Sequence, residues 1–380
     1  MRYCIVGAGF SGAVIGRRLA EAGHQVLVID ERASVAGNCH TERDTNTGVM
    51  VHVYGPHIFH TADERVWNYV RQFGEWIPYR HRVQAMVKDR VFSLPINLLT
   101  INQFFGKTMS PSQAREFVAE KATPIENPAN FEEQGLSLVG RELYEAFFRG
   151  YTRKQWGMEP TKLPASILKR LPLRFNYDDS YFAHPYQAMP KDGYTAVVAA
   201  ILDVPGLELR LGTRFEDLGE DFAHVIYSGP IDRYFDYAEG RLGYRTLDFE
   251  RFEAEGDYQG SAVINYCDEE VPFTRITEHK HFAPWEAESH SRTVCYREFS
   301  RFCEPGDVPY YPIRQVDEEA MLRRYVERAR ATEGVSFVGR LGSYRYLDMD
   351  VTIGEALAAA DRMLECIAGD QPIPAFFIEP

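Results

Sequence analysis

Gly7, Gly9 and Gly12 stand in the run Gly7-Ala8-Gly9-Phe10-Ser11-Gly12, between an apolar stretch (residues 3–6) and a helical one (13–22) that Gly23 stops. This spacing suits the pyrophosphate of a dinucleotide. Gly7 permits a tight turn, Gly9 lets phosphate reach the backbone, and Gly12 lets helix and strand pack closely. The helix start, with Ser11 in it, offers N–H donors and a positive dipole end. A second apolar run (25–29) ends at Asp30-Glu31, where Asp30 is placed to accept hydrogen bonds from a ribose diol. A glycine turn alone would be weak evidence; strand, turn, helix, strand and acid in order are much stronger. A second chemical group lies in Gly55-Pro56-His57-Ile58-Phe59-His60. Its His-x-x-His spacing suggests a metal, but no Asp, Cys or third His accompanies it in sequence, so no metal site is expected.

Two features favour FAD over NAD. Ala36-Gly37-Asn38 follows the acid closely, like the small-residue turn of glutathione-reductase-type FAD folds. No second Gly-x-Gly-x-x-Gly exists to build a nicotinamide domain.

The remaining elements must frame this site. Residues 49–59 read as one strand, 63–75 as a short helix, and 79–92 as paired strands around Lys88-Asp89. Apolar spacing near 3.6 predicts helices over 98–105, 112–121, 130–139 and 141–151, with Ser110-Pro111 as a helix start. The stretch 157–169, rich in Gly, Pro and Lys beside Trp156, reads as a mobile loop. Helix 196–201, strand 208–211 and a strand from His224 to a turn at Gly229-Pro230 return the chain to the first sheet. Residues 242–300 alternate as an antiparallel sheet, followed by helix 318–332, strand 335–338 and helix 352–367. His279, His281 and His290 read as lying on a solvated sheet edge.

A chain of 380 residues implies two or three domains. A net charge of −13 argues against nonspecific nucleic-acid binding, so an anionic ligand needs a local arginine cluster. Six scattered cysteines without a Cys-x-x-Cys suggest reduced thiols. No run approaches the roughly 18 apolar residues of a membrane span. The first residues lack the pattern of a cleaved leader, and a cytoplasmic location is expected.

Several blocks resemble one family, UDP-galactopyranose mutase. They include GAGFSGAVIGRRLAE (7–21), YGPHIFHT (54–61), ELYEAFFRGYTRKQWG (142–157), LPASILKRLPLRFNYDDSYF (163–182), VPFTRITEHKHF (271–282), PYYPIRQ (309–315) and FVGRLGSYRYLDMDVTI (337–353), in order over nearly the whole chain. The resemblance implies an α/β fold with a discontinuous Rossmann-type FAD domain (1–77, 189–235, 330–380). A helical bundle (97–174) and an antiparallel sheet domain (78–96, 175–188, 236–329) complete it. It implies an isomerase interconverting UDP-galactopyranose and UDP-galactofuranose for surface polysaccharide. Reduced FAD (FADH⁻) would act through N5 as nucleophile on the anomeric carbon, after reduction by an external donor such as NAD(P)H. A homodimer or higher homo-oligomer is left open.

By the same resemblance, Arg170 and Arg275 are the catalytic pyrophosphate arginines, each a bidentate fork whose charge does not titrate away; His60 joins them. Phe147, Phe148, Tyr151, Thr152 and Trp156 form the uridine platform. His81, Tyr181, Asn265, Tyr311 and Tyr346 complete the substrate pocket, with His81 standing where many members place asparagine. Pro56, His57, Phe215, Arg340, Leu347, Asp348, Met349, Asp350, Val351 and Thr352 join the glycine turn, Asp30, Glu31 and Asn38 in holding FAD. The last helix start and Arg340 would favour the anionic reduced flavin. Ala36 replaces a usual second glycine. Two other readings share the FAD fold. A flavin amine oxidase needs an apolar tunnel and O₂ turnover; a non-catalytic UDP-sugar or flavin-binding protein would bind without converting.

Overall fold

The computed structural model describes residues 1–170, 173–313 and 316–380, without the side chains of 169, 170, 316 and 317. Five parallel strands form the first sheet, in the order Leu207–Leu211, Gln25–Asp30, Arg2–Val6, His224–Tyr227, Val335–Phe337. The inner strands are continuous apolar runs because both faces are covered. Ile5, Val26 and Val28 pack towards the helices Phe10–Glu21, Gly193–Leu202 and Met349–Ala368, while Cys4, Leu27 and Ile29 face Phe215, Leu218 and Phe222. The first helix begins at Phe10, before the expected residue 13, which puts Gly12 inside its first turn. The last begins at Met349 instead of 352.

The bundle contains Leu98–Phe105, Pro111–Lys121, Phe131–Tyr144 and Gly150–Trp156. Its helix starts are capped by side chains. Asn97 accepts from the Leu99 and Thr100 amides, Ser110 and Gln113 cap each other, and Asn130 accepts from the Glu133 amide. Gly140, at φ 75°, kinks the third helix. A π-helical turn, Glu145–Arg149, then aims Phe147 at Phe92 and Phe104.

The third layer is a seven-stranded sheet in the order Tyr311–Pro312, Tyr244–Glu255, Arg292–Phe302, Arg275–Glu278, Val263–Tyr266, Val83–Val87, Arg90–Leu94. Its pairs are antiparallel except Val263–Tyr266 with Val83–Val87. Lys88 and Asp89 take left-handed backbone at the tip of the last hairpin, as its two-residue turn requires.

Two expectations need correcting, the single strand over 49–59 and the solvated position of His279. Residues 49–59 are not one strand: Met50–His52 and Phe59–Thr61 belong to separate sheets, split where Gly55 turns at φ 85°. Strand Tyr186–Pro190 pairs with Phe59–Thr61 and Trp76–Pro78 in a smaller antiparallel sheet. Helix Val316–Ala331 buries Leu322, Tyr325 and Ala329 with Phe337 and Tyr227 of the parallel sheet and with Tyr244 of the antiparallel one, so it packs where the two sheets meet. His279 is fully buried, not on a solvated edge; its ring lies edge-on to Tyr296, with centroids 4.5 Å apart. The segment after Trp156 carries two short 3₁₀ turns, Pro160–Lys162 and Ala165–Arg170. Buried Leu163 ties it to the bundle by accepting the Phe131 amide at 2.9 Å.

Candidate functional site

One cavity of about 1160 Å³ runs from the glycine turn to the large sheet. Single-ligand sites are usually about 300–1,000 Å³, so there is room for a dinucleotide and a second ligand. Val6, Asp30 and Tyr227, at the carboxyl ends of parallel strands, line it, and it is at such ends that open α/β sheets bind ligands.

At the dinucleotide end a Cβ on Gly12 would come 2.0 Å from the Gly7 carbonyl, so only glycine lets the helix pack there. A Cβ on Gly9 would meet nothing closer than Gly37, at 3.9 Å, and would project into space that a phosphate can fill. Asp30 shapes this cradle: its carboxylate accepts the Ala8 amide at 2.8 Å and the Arg32 amide at 2.9 Å. Glu31 pairs with Arg233 at 3.0 Å, and Asn38 accepts from Arg32 at 3.0 Å. Ala36 holds φ 76°, which explains the usual glycine and costs an alanine about 1 kcal/mol. Arg340 donates to the Tyr310 carbonyl at 2.7 Å, while its buried Nε has no partner among the described residues. Gly7, Gly9, Ser11, Pro56, His57, Phe215, Leu347, Asp348, Met349 and Thr352 also line the cavity. The open cradle, the orphaned Nε and the helix start at Met349 fit a flavin dinucleotide.

At the far end Arg275 donates to Glu298 at 2.7 Å across neighbouring strands. Burial works against the Arg275 charge, but Glu298 more than offsets it and holds the guanidinium protonated. Glu298 is fully buried, and its second carboxylate oxygen is unpartnered among the described residues. Sequence reading missed Glu298; only the strand register that sets it opposite Arg275 reveals it. Tyr151, Tyr181, Tyr311, Tyr346, Asn265, Phe147, Phe148 and His81 line the same end. Burial raises the pKa of Tyr151 and Tyr181 and pushes Tyr311 up to about 12, so these hydroxyls stay protonated donors. The Tyr346 ring stands 5.7 Å from that of Tyr311, with Arg340 over its face at 5.1 Å. Burial lowers His81 to about 3 and His57 to about 4, with Arg275 adding to the effect on His81, so both are neutral near pH 7.

Some expected contacts are not brought to the cavity. Gly12, Thr152, Trp156 and Asp350 do not line it, and Val351 is exposed. The Arg170 side chain lies outside the described residues. His60 does line the cavity, but the ground for setting metal aside does not hold in space. His184 and Asp350 bring their ligating atoms within 4.8 Å of one another and of His60.

Residues 146–346 match the UDP-galactopyranose mutase family model, and residues 5–73 match that of an NAD(P)-binding Rossmann-like domain. The chain is 59% identical to a probable UDP-galactopyranose mutase of Klebsiella pneumoniae, covering 98% of this chain and 97% of that one. It is 51% identical to the dTDP-fucopyranose mutase of Escherichia coli, covering 94% and 97%. A crystal structure of reduced UDP-galactopyranose mutase shares the fold at a TM-score of 0.75, with 16% identity and 96% and 95% coverage. Matched by the family model over just more than half its length, and by a close relative from end to end, the chain belongs to the UDP-galactopyranose mutase family and is an enzyme of its mutase class.

Proposed function

We propose that the chain binds FAD and, with the flavin reduced, interconverts UDP-galactopyranose and UDP-galactofuranose. The observation that carries this reading is the single cavity that joins the open cradle at Gly9 to Arg275 and its tyrosines. Reduced FAD, when bound, supplies a nucleophilic N5 for the anomeric carbon and leaves no net oxidation.

The chain's own groups do the rest. Arg275, held charged by Glu298, faces the pyrophosphate and stabilises the negative charge that grows as UDP departs. Arg170 is assigned the same role. The protonated hydroxyls of Tyr151, Tyr181 and Tyr311 donate to phosphate oxygens. Neutral His81 offers a hydrogen bond without adding a competing charge. Phe147 and Phe148 give the pyrimidine an apolar wall, and the buried setting keeps water from the reacting sugar. Arg340 and the start of helix Met349–Ala368 favour the anionic reduced cofactor, with NAD(P)H as external reductant.

The test is conversion of UDP-galactofuranose by dithionite-reduced, FAD-loaded protein, followed by chromatography. UDP-galactopyranose should form. Its absence with FAD bound overturns the reading. The relative named for dTDP-fucopyranose sets a second arm: faster turnover of the dTDP-linked 6-deoxy sugar would replace the UDP-galactose assignment.

A further inference from the structure

We propose that His60, His184 and Asp350 form a binding site for one divalent transition-metal ion at the wall of the cavity. The ligating atoms of the three residues lie within 4.8 Å of one another. The Nδ1 atoms of His60 and His184 face each other at 2.8 Å. Two nitrogens bound at about 2.0–2.1 Å to one tetrahedral ion stand roughly 3.3 Å apart, so the pair opens by about half an ångström to admit it. In the empty pair one Nδ1 donates to the other, so the ion takes the place of the shared proton, and the rings, tilted by 48°, are not stacked.

Each ligand is held by a different element. His60 lies on strand Phe59–Thr61 and stacks on Phe182, with centroids 3.6 Å apart. The His184 carbonyl accepts from Gln187 at 2.7 Å, fixing the turn before strand Tyr186–Pro190. Asp350 sits in the first turn of helix Met349–Ala368. Two imidazoles and one carboxylate select Zn²⁺, Co²⁺ or a similar ion over Mg²⁺ and Ca²⁺, which prefer all-oxygen shells. Three protein ligands leave a fourth position open, the pattern of zinc sites that keep a water or bind a ligand. His60 lines the cavity and His184 does not. An ion there engages His60 and ties the strand, the turn and the helix together.

The experiment titrates purified FAD-loaded protein with Co²⁺. Four-coordinate cobalt gives visible d–d bands beyond the flavin absorption, which Zn²⁺ should displace, and the melting temperature should rise with either ion. His184→Ala and the more conservative His184→Gln should lose both the bands and the thermal shift. Absence of the bands in the wild-type protein, or their survival in both variants, overturns the site. Zn²⁺ should also slow turnover of the wild type and leave His184→Gln unaffected; inhibition that persists in that variant likewise counts against it. The spectrum and the melt do not depend on the reaction, so failure of the mutase reading would leave them standing.

Discussion

Arg275 is useful because of what faces it. Glu298 stands across the strand pair at 2.7 Å and balances its charge in the cavity, while its buried Nε has no partner among the described residues and stays available for phosphate. Removing one preorganised donor of this kind typically costs 10²–10³ in kcat. Arg275→Ala should therefore lose on the order of 10²–10³ in kcat with the bound flavin spectrum unchanged. Arg275→Lys should recover only part of it, because an ammonium cannot form the fork. Steady-state kinetics beside flavin content decide this, and near wild-type turnover in Arg275→Ala would remove the residue from the mechanism. At this scale the sequence showed residue types and blocks but not pairings. Arg275 was legible from its block, whereas Glu298 is one acid among many until register sets it opposite. The same limit hid His184 and Asp350 from His60, since residues so far apart in the chain meet only through the fold.

Elements position these groups through their ends, and Gly157 is a clear case. The helix Gly150–Trp156 stops there in left-handed backbone, φ 67°, beneath the guanidinium of Arg245. Arg245 is fully buried and donates to the Gln155 carbonyl at 3.1 Å, and Ser300 donates to the same oxygen at 2.7 Å. A cation and a hydroxyl thus satisfy a carbonyl left over at the helix end. With no counter-ion among the described residues, burial lowers Arg245 to about 10, which still leaves it charged near pH 7. A Cβ at position 157 would come 2.6 Å from this guanidinium and force an unfavourable backbone as well. Gly157→Ala should cost about 1–2 kcal/mol from the backbone alone, with the clash added. Urea unfolding should show it, and an unchanged midpoint would mean that the loop relaxes freely there. Strong apolar periodicity made the helix Leu98–Phe105 legible to the residue. Residues 49–59 misled because a continuous β-like composition hides a turn that is set by one glycine φ.

The whole molecule carries a cost of burying histidines outside the cavity, and it appears as acid sensitivity. His224 sits inside the parallel sheet, its Nε2 2.8 Å from the Ser336 hydroxyl. His279 receives the His52 amide on Nδ1 at 3.2 Å, and its buried Nε2 has no partner among the described residues. Burial lowers the first to about 4; burial, with Arg251 adding to it, lowers the second to about 3. Each pKa is depressed on folding, so the unfolded chain binds the extra proton as pH falls below about 6.5. The stability these neutral rings contribute is complete above that pH and is lost as pH falls towards their folded values. At about pH 5 the loss is roughly 2 kcal/mol for each ring. None of this was legible while His279 read as a solvated edge residue, because the layer that closes over it is built from segments far away in the chain. Thermal melts should show a steep fall in stability between about pH 6.5 and pH 5 that is shallower in His279→Asn and in His224→Asn. The two substitutions lie in separate parts of the molecule, so their effects on the slope should add. Slopes equal to wild type in both variants would mean that the acid sensitivity belongs to the cavity histidines or the carboxylates instead.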